Sequence, residues 1–376
     1  MLKLPVRNNK LKILVAPLDW GLGHTTRCIP VIYELLALGV EVVLAGNKVQ
    51  RSLLQKEFPD CRFLKLEGYN ITYSNRGKGF VWKILRQAPQ IAGAVSKERQ
   101  WLLALIKKEK IDGVISDNRF GLYCKKIPTV FITHQLRIKT GIGRGTESLL
   151  QKFNYNYINR FSKCWIPDYV GHPNLAGELA HPEKLPKTIC EYIGPLSRMN
   201  SLPEKRIACH LLIMLSGPEP QRTLFEKMIF EQLPDLNGAA TVVRGLPAET
   251  AKLSSTNGVT IYNHLPKDEL NKEMCRAEYV ICRSGYSSVM DIHAAGAKSI
   301  LAPTPGQTEQ EYLAEYLASQ NFCITASQQN FNLKSLLKEA RNFNFQNSFG
   351  QNRNSLRQAV QKFIEECAGY KTKPGL

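Results

Sequence analysis

From residue 12 onward the chain repeats one unit: a short run of aliphatic and β-branched residues, then a longer segment with apolar residues at helical spacing. This alternation leaves few folds open, because strands separated by crossover helices pair in parallel and bury both faces of their sheet. The fold class is α/β. In the first half the runs Lys12–Pro17, Glu41–Ala45, Arg62–Leu66, Asp112–Ser116 and Thr129–Thr133 predict strands, with helices over Thr25–Leu38 and Val81–Lys107. The pattern pauses at Gly194-Pro195-Leu196-Ser197 and the polar stretch Asn200–Arg206. It resumes at Ala208–Leu215, Ala240–Val243, Val259–Tyr262, Tyr279–Ile281 and Ser299–Ala302, and closes with helical spacing at Gln310–Ser319, Leu333–Arg341 and Ser355–Cys367. Two doubly wound, Rossmann-like domains facing a cleft are expected. They span 1–197 and 198–376, with the last helix expected to pack back on the first domain. No short-period repeat or heptad array points to a solenoid or coiled coil.

Composition narrows the partners. The apolar run Ile13–Ala16 is far shorter than a signal sequence core or a membrane span. The ten cysteines are scattered without a C-x-x-C pair, as in a reduced, cytoplasmic protein. Fifty Lys and Arg against 32 Asp and Glu leave a net charge of +18, which calls for an anionic partner or surface: nucleic acid, membrane or phosphorylated substrate. A basic nucleic-acid-binding protein is one alternative. No helix-turn-helix, RNP-type strand or zinc finger supports it, and no nucleic-acid partner is expected.

Two loops carry the chemistry. After the first strand comes Asp19-Trp20-Gly21-Leu22-Gly23-His24-Thr25-Thr26-Arg27, opening directly into a helix. Gly21 and Gly23 let backbone approach a ligand, and the first helical turn favours negative charge. Thr26 stands where a dinucleotide fingerprint needs its third glycine, which disfavours NAD. His24, titrating near neutrality, suits proton abstraction from an attacking hydroxyl; it could instead cap or pack the helix. The second loop, Cys282-Arg283-Ser284-Gly285-Tyr286-Ser287-Ser288, delivers small residues onto another helix start, a cradle for a diphosphate. Asp291, two turns into that helix, is placed to hold ribose hydroxyls.

This second segment, with Ala294-Ala295-Gly296, Pro303 and Gln310 before Tyr312, resembles the family that adds N-acetylglucosamine to a lipid-linked peptidoglycan precursor. Its relatives make plant galactolipids, and all are glycosyltransferases of family 28 with the two-domain GT-B fold. The resemblance covers about the whole C-terminal domain. It implies donor binding by Arg283, Ser284, Gly285, Ser287, Ser288 and Asp291, where the family has a glutamate in place of Asp291. Gln310 is implied as a sugar contact, and Glu311 departs from a second glutamine. Ser216, Gly217 or Arg222 would help hold the diphosphate, and Tyr262 and His264 would edge the nucleobase. Arg244, at the end of a strand, is a further candidate partner for phosphate charge.

The expected function is transfer of a sugar from a nucleotide diphosphate sugar, with uridine the family default, to a lipid-linked or other glycan acceptor. No D-x-D pair occurs, so no metal and no cofactor is expected, and helix N-termini with Arg222 or Arg283 would stabilise the leaving group. His24 is the expected base in an inverting displacement, with Asp19 and Asp117 as rivals. Asp117 could also bind the acceptor or cap a helix from Arg119. His134 and Gln135, at a strand end, are candidate acceptor contacts. The basic amphipathic segment from Arg76 to Lys110 reads equally as a core helix or as a surface for anionic lipid, which the resemblance favours through a peripheral place at the inner membrane face. A nucleotide-sugar hydrolase, with water in place of the acceptor, is the nearest alternative enzyme. An epimerase would need further acid–base groups.

Overall fold

The computed structural model describes residues 10–69, 80–141, 143–247, 249–251, 253–255, 258–346, 349 and 354–371, with 80–88 as backbone only. The strands described form two sheets, parallel throughout. At the centre of the first, β1 (Lys12–Pro17) pairs with β2 (Glu41–Gly46) and β4 (Gly113–Asp117). Beyond β2 lies β3 (Arg62–Lys65); beyond β4 lie β5 (Thr129–Ile132), β6 (Lys163–Ile166) and β7 (Ile189–Tyr192). In the second sheet β8 (Ile207–Met214) pairs with β9 (Ala239–Val243) and β11 (Ala277–Cys282), flanked by β10 (Val259–Tyr262), β12 (Ser299–Leu301) and β13 (Cys323–Thr325). Residues Ile13 to Ala16 and Ile281 are wholly buried, as continuous apolar runs must be in a sheet covered on both faces. Strand order reverses at β1/β4 and at β8/β11, which opens a crevice at the carboxyl ends of each pair.

The connecting helices are α1 (Leu22–Ala37), α2 (Lys48–Glu57), α3 (Phe80–Glu109) and α4 (Arg144–Ile158) on the first sheet, and α5 (Gln221–Gln232), α6 (Lys267–Arg276), α7 (Tyr286–Ala295), α8 (Thr308–Ser319) and α9 (Leu333–Asn342) on the second. α1 starts three residues earlier than its apolar spacing predicts, which puts His24 inside the first turn. No helix starts at Arg119: the chain there turns toward β5, and the fully buried Arg119 pairs with Glu98 at 2.5 Å and donates to Pro17 O and Glu67 O. Of the amphipathic stretch expected from Arg76 to Lys110, residues 76–79 and the side chains of 80–88 lie outside the described residues. No helix among the described residues is long and apolar enough to cross a membrane.

The last helix, α10 (Ser355–Lys371), leaves the second sheet and lies on the first. Phe363 meets Trp165 edge-on at 5.8 Å, Glu366 pairs with Lys163 at 2.5 Å, and Lys371 reaches Asp112 at 3.0 Å. A side chain at Gly113 would stand 2.5 Å from Cys367 Sγ, so glycine there admits the helix. Between the sheets, tyrosine hydroxyls join the domains: Tyr286 donates to Pro167 O at 2.7 Å, Tyr169 pairs with His293 at 2.8 Å, and Tyr316 reaches Asn174 Oδ1 at 3.0 Å.

Candidate active site

The C-terminal end of β1 releases the chain into a glycine turn. Gly21 takes φ +75°, a left-handed conformation that favours glycine, and serves as N-cap of α1 without any side-chain cap. The first N–H groups of α1 are thus left open toward the cleft. One turn on, Arg27 is 2% exposed and forks onto Asp117 at the end of β4: Nε donates to Oδ2 at 2.6 Å and Nη2 to Oδ1. Arg27 neutralises a buried carboxylate, a bidentate arrangement that fixes both groups. Burial works against the charge on Asp117, but Arg27 and His24 hold its carboxyl well below the usual range. A carboxylate so engaged is a poor base and a good anchor.

His24 Nδ1 lies 3.1 Å from Asp117 Oδ1 and 2.9 Å from Arg27 Nη2. Nδ1 cannot serve both: in the tautomer whose Nδ1–H donates to Asp117 it accepts nothing from Arg27, Nε2 keeps its lone pair, and among the described residues Nε2 has no partner. Burial and the Arg27 charge lower the His24 pKa against the pull of Asp117, so the imidazole is neutral at pH 7 and able to accept a proton. Asp19 stands apart from this pair. A side chain at Gly68 would run into its carboxylate, and its Oδ1 is buried with no hydrogen-bond partner among the described residues.

The two glycine loops meet across the cleft. A Cβ at Gly23 would stand 2.6 Å from Ser287 Oγ and 3.2 Å from its Cβ, so α1 and α7 approach closely here and a side chain at Gly23 would displace the Ser287 hydroxyl. Like α1, α7 begins at a glycine, Gly285, without a side-chain cap, and Ser287 and Ser288 make no side-chain hydrogen bond among the described residues. Tyr286 stacks on His134, with ring centroids 4.2 Å apart and planes at 15°. His134 Nδ1 faces Arg27 Nη1 at 3.0 Å and its Nε2 faces Glu309 Oε1 at 2.8 Å, while Gln135 Nε2 donates to Glu309 Oε2. One tautomer satisfies both His134 contacts: Nδ1 accepts from Arg27, and Nε2–H donates to Glu309.

Several side chains expected to face a ligand are turned elsewhere. Arg283 is 1% exposed and fastens its own domain: it donates to Ala302 O, Pro303 O, Gln221 O and Gln328 Oε1 and lies over the Phe225 ring at 4.2 Å. Burial lowers its pKa to about 10, and it offers no open charge to a phosphate. Ser284 donates to Gln310 O at 2.7 Å. Arg222 and Arg244 both pair with Glu226, and Arg222 also with Glu219, so neither is a free cation. Gln310 accepts from Thr304 N–H and donates to Gln307 Oε1, and Glu311 accepts from Gly306 N–H, so both shape the 304–307 turn.

Other expected residues do line the crevice. Asp291 Oδ1 accepts from Ser197 at 2.5 Å, and burial lifts its pKa to about 6 against that hydrogen bond and the nearby Arg198. Ser216 and Gly217, the latter at φ +110°, are exposed after β8, and so are Tyr262, the last residue of β10, and His264 beyond it. Sequence reasoning missed three residues. Arg198, next to the hinge and influencing both Asp291 and His264, makes no hydrogen bond or ion pair among the described residues, and its Nε is buried. The Thr304 hydroxyl is buried without a partner among the described residues, beside Gly217. Glu309 is the third. Arg198 follows Gly-Pro-Leu-Ser directly, which was the only available signal.

Comparison with known proteins agrees with this geometry. Residues 247–367 match the glycosyltransferase family 28 C-terminal domain. The chain is 26% identical to the UDP-N-acetylglucosamine–N-acetylmuramyl-(pentapeptide) pyrophosphoryl-undecaprenol N-acetylglucosamine transferase of Glaesserella parasuis, over 87% of this chain and 88% of that one. It is 24% identical to a glycosyltransferase of Methanosarcina acetivorans, over 83% and 84%. In fold it is similar to the glycosyltransferase SnogD from Streptomyces nogalater, with 14% identity, a TM-score of 0.60, and 96% and 95% of the chains covered. The chain is therefore a glycosyltransferase of the two-domain GT-B fold, and its residues 247–367 are similar to the C-terminal domain of family 28.

Proposed function

We propose that this enzyme moves a sugar from a nucleotide diphosphate sugar, UDP-linked in the first instance, to a hydroxyl of a lipid-linked or other glycan acceptor, with inversion and without a metal. The observation that carries the reading is the meeting of two uncapped helix N-termini, α1 and α7, beside a histidine whose Nε2 is free. The diphosphate sits at the start of α7, where open N–H groups and the Ser287 and Ser288 hydroxyls face developing negative charge, with Arg198 near Asp291 further along the helix. Asp291 takes the ribose, and Tyr262 and His264 border the base. His24 Nε2 removes the acceptor proton as its oxygen attacks the anomeric carbon; the bond from that carbon to the diphosphate breaks, and the nucleotide leaves with the electron pair. Asp117 stabilises the imidazolium so formed. General-base assistance of this kind is worth about 10²–10⁴ in rate.

The acceptor would come from the α4 side. α4 is tied to the cleft through Asn154, which donates to Gln135 O at 2.8 Å. Its outer face exposes Leu149 at 64% and Phe153 at 47%, with Arg144 and Lys152 beside them. Apolar side chains one turn apart, flanked by cations, suit an anionic lipid surface.

Thermal stabilisation by UDP, dTDP and their sugars, in buffer containing EDTA, tests the donor assignment. A ligand at 100 times its Kd adds about 2.7 kcal/mol to stability. We expect a nucleotide diphosphate to give such a shift in the wild type and in His24→Ala alike, with transfer falling about 10²–10⁴-fold in the variant. If no nucleotide diphosphate shifts the transition, the donor site is misassigned; if His24→Ala transfers at the wild-type rate, the base is.

A further inference from the structure

Cys164 and Cys190 are register partners on the paired parallel strands β6 and β7. Neighbouring strands lie about 4.8 Å apart, within the roughly 4.4–6.8 Å between Cα atoms that a disulfide spans. Their side chains share a face. Lys163 and Trp165 meet Glu366 and Phe363 of α10 and both reach Glu191 of β7. Alternation therefore turns Cys164 and Cys190 to the opposite face, beside Tyr155 of α4 and Tyr192. There the Cys164 thiol donates to Cys190 Sγ. This bond lowers the pKa of Cys190 against the pull of burial, while the bond and burial together raise that of Cys164. Cys164 is wholly buried and Cys190 only partly, so a small solute meets Cys190 first. The other two strand cysteines that lie deep in a sheet, Cys282 and Cys323, are kept apart by β12.

We propose that Cys164 and Cys190 form a site of reversible oxidative modification, a dithiol that hydrogen peroxide closes into a cross-strand disulfide. The Cys190 thiolate attacks one peroxide oxygen; the O–O bond breaks, and the hydroxide released takes up the proton that the thiol gave, leaving water and a Cys190 sulfenic acid. Cys164 Sγ then attacks the Cys190 sulfur, so that the S–S bond forms, the S–O bond breaks, and the oxygen departs as a second water with the Cys164 proton. Two thiols lose two electrons and the peroxide gains them. The site uses no residue of the cleft. It lies at the root of the passage between domains, because β7 is the edge strand of its sheet and runs on into Leu196 and Ser197, which bond Met290 and Asp291 of α7. The disulfide would fasten that edge strand to its one neighbour.

Peptide mapping of the folded wild type tests this: hydrogen peroxide is added, remaining thiols are blocked with N-ethylmaleimide, and the protein is digested with trypsin. The two cysteines fall in separate peptides, 164–184 and 188–198. We expect these two peptides to be recovered linked, and dithiothreitol added before blocking to return both as thiols. Cys164→Ser should halt the sequence at the Cys190 sulfenic acid, trapped by dimedone, whereas Cys190→Ser should leave Cys164 a thiol. The wild-type map decides the matter even if either variant folds poorly. Peroxide that oxidises the exposed Cys209 while Cys164 and Cys190 both remain thiols would overturn the proposal, as would a Cys190 sulfinic acid beside an unchanged Cys164 thiol.

Discussion

Arg27 touches three groups of the site, Asp117, His24 and His134, and its loss would be felt first as instability. Arg27→Leu would leave Asp117 a buried carboxylate without its guanidinium counterion and with His24 as its remaining charge partner, a defect that costs about 3–5 kcal/mol. Replacing both partners, as in Arg27→Leu with Asp117→Asn, removes the charge as well as its counterion and should recover a large part of that loss. Urea denaturation of the three proteins decides the matter: if the single variant is as stable as the wild type, the pair is not the anchor described. The sequence offered Arg27 only as the last residue of G-x-G-H-x-x-R, one helical turn past His24. Its partner is 90 positions away, and only the β1–β4 pairing brings them together.

The two glycine-started helices are the elements on which function was readable. Small residues at the end of a strand, followed at once by helical spacing, specify open backbone donors whatever else the chain does, so the Gly21 and Gly285 loops stood out. The roles of their larger neighbours did not. An arginine after a strand looks the same in sequence whether it faces a phosphate or, as Arg283 does, clamps carbonyls of its own domain. Glu309 was invisible because its meaning depends on how the domains pack. α2 went unforeseen although Asn47 and Gln50 form a capping box, because the helix is short and polar and its apolar spacing is faint.

Asp291, on α7, gives this element a pH signature. Its carboxyl titrates at about 6 in the folded protein against an ordinary 3.8, so the folded state binds the proton more tightly than the unfolded one. The stability this contributes is complete below about pH 4 and is lost as pH rises through 6. Above that, the buried charge costs up to about 3 kcal/mol, less whatever cleft water returns. Asp291→Asn should therefore match the wild type near pH 4 and exceed it at pH 8, while losing affinity for UDP. Denaturation curves at the two pH values that run parallel would refute the assignment.

At the scale of the molecule, a net charge of +18 and the exposed Leu149 and Phe153 face of α4 belong together. Long-range attraction would bring the enzyme to an anionic surface, and the apolar pair would hold it there. Sedimentation with phosphatidylglycerol vesicles should be strong at low salt, weak at high salt, and reduced at any salt in Leu149→Ser with Phe153→Ser. Protein that stays in the supernatant at low salt would remove the membrane from this account.

The return of α10 bears on how the two halves move. The chain passes between the sheets twice, from Tyr192 to Ile207 and again from Asn342 to Ser355, so the first half is built from two lengths of polypeptide and the second is inserted between them. A fragment ending at the first crossing would leave Trp165 without the Phe363 ring that covers it. Two anchor points define a line, as a pair of hinges does on a door: the cleft can swing open about that line, while twisting or sliding of one half past the other would strain both crossings at once.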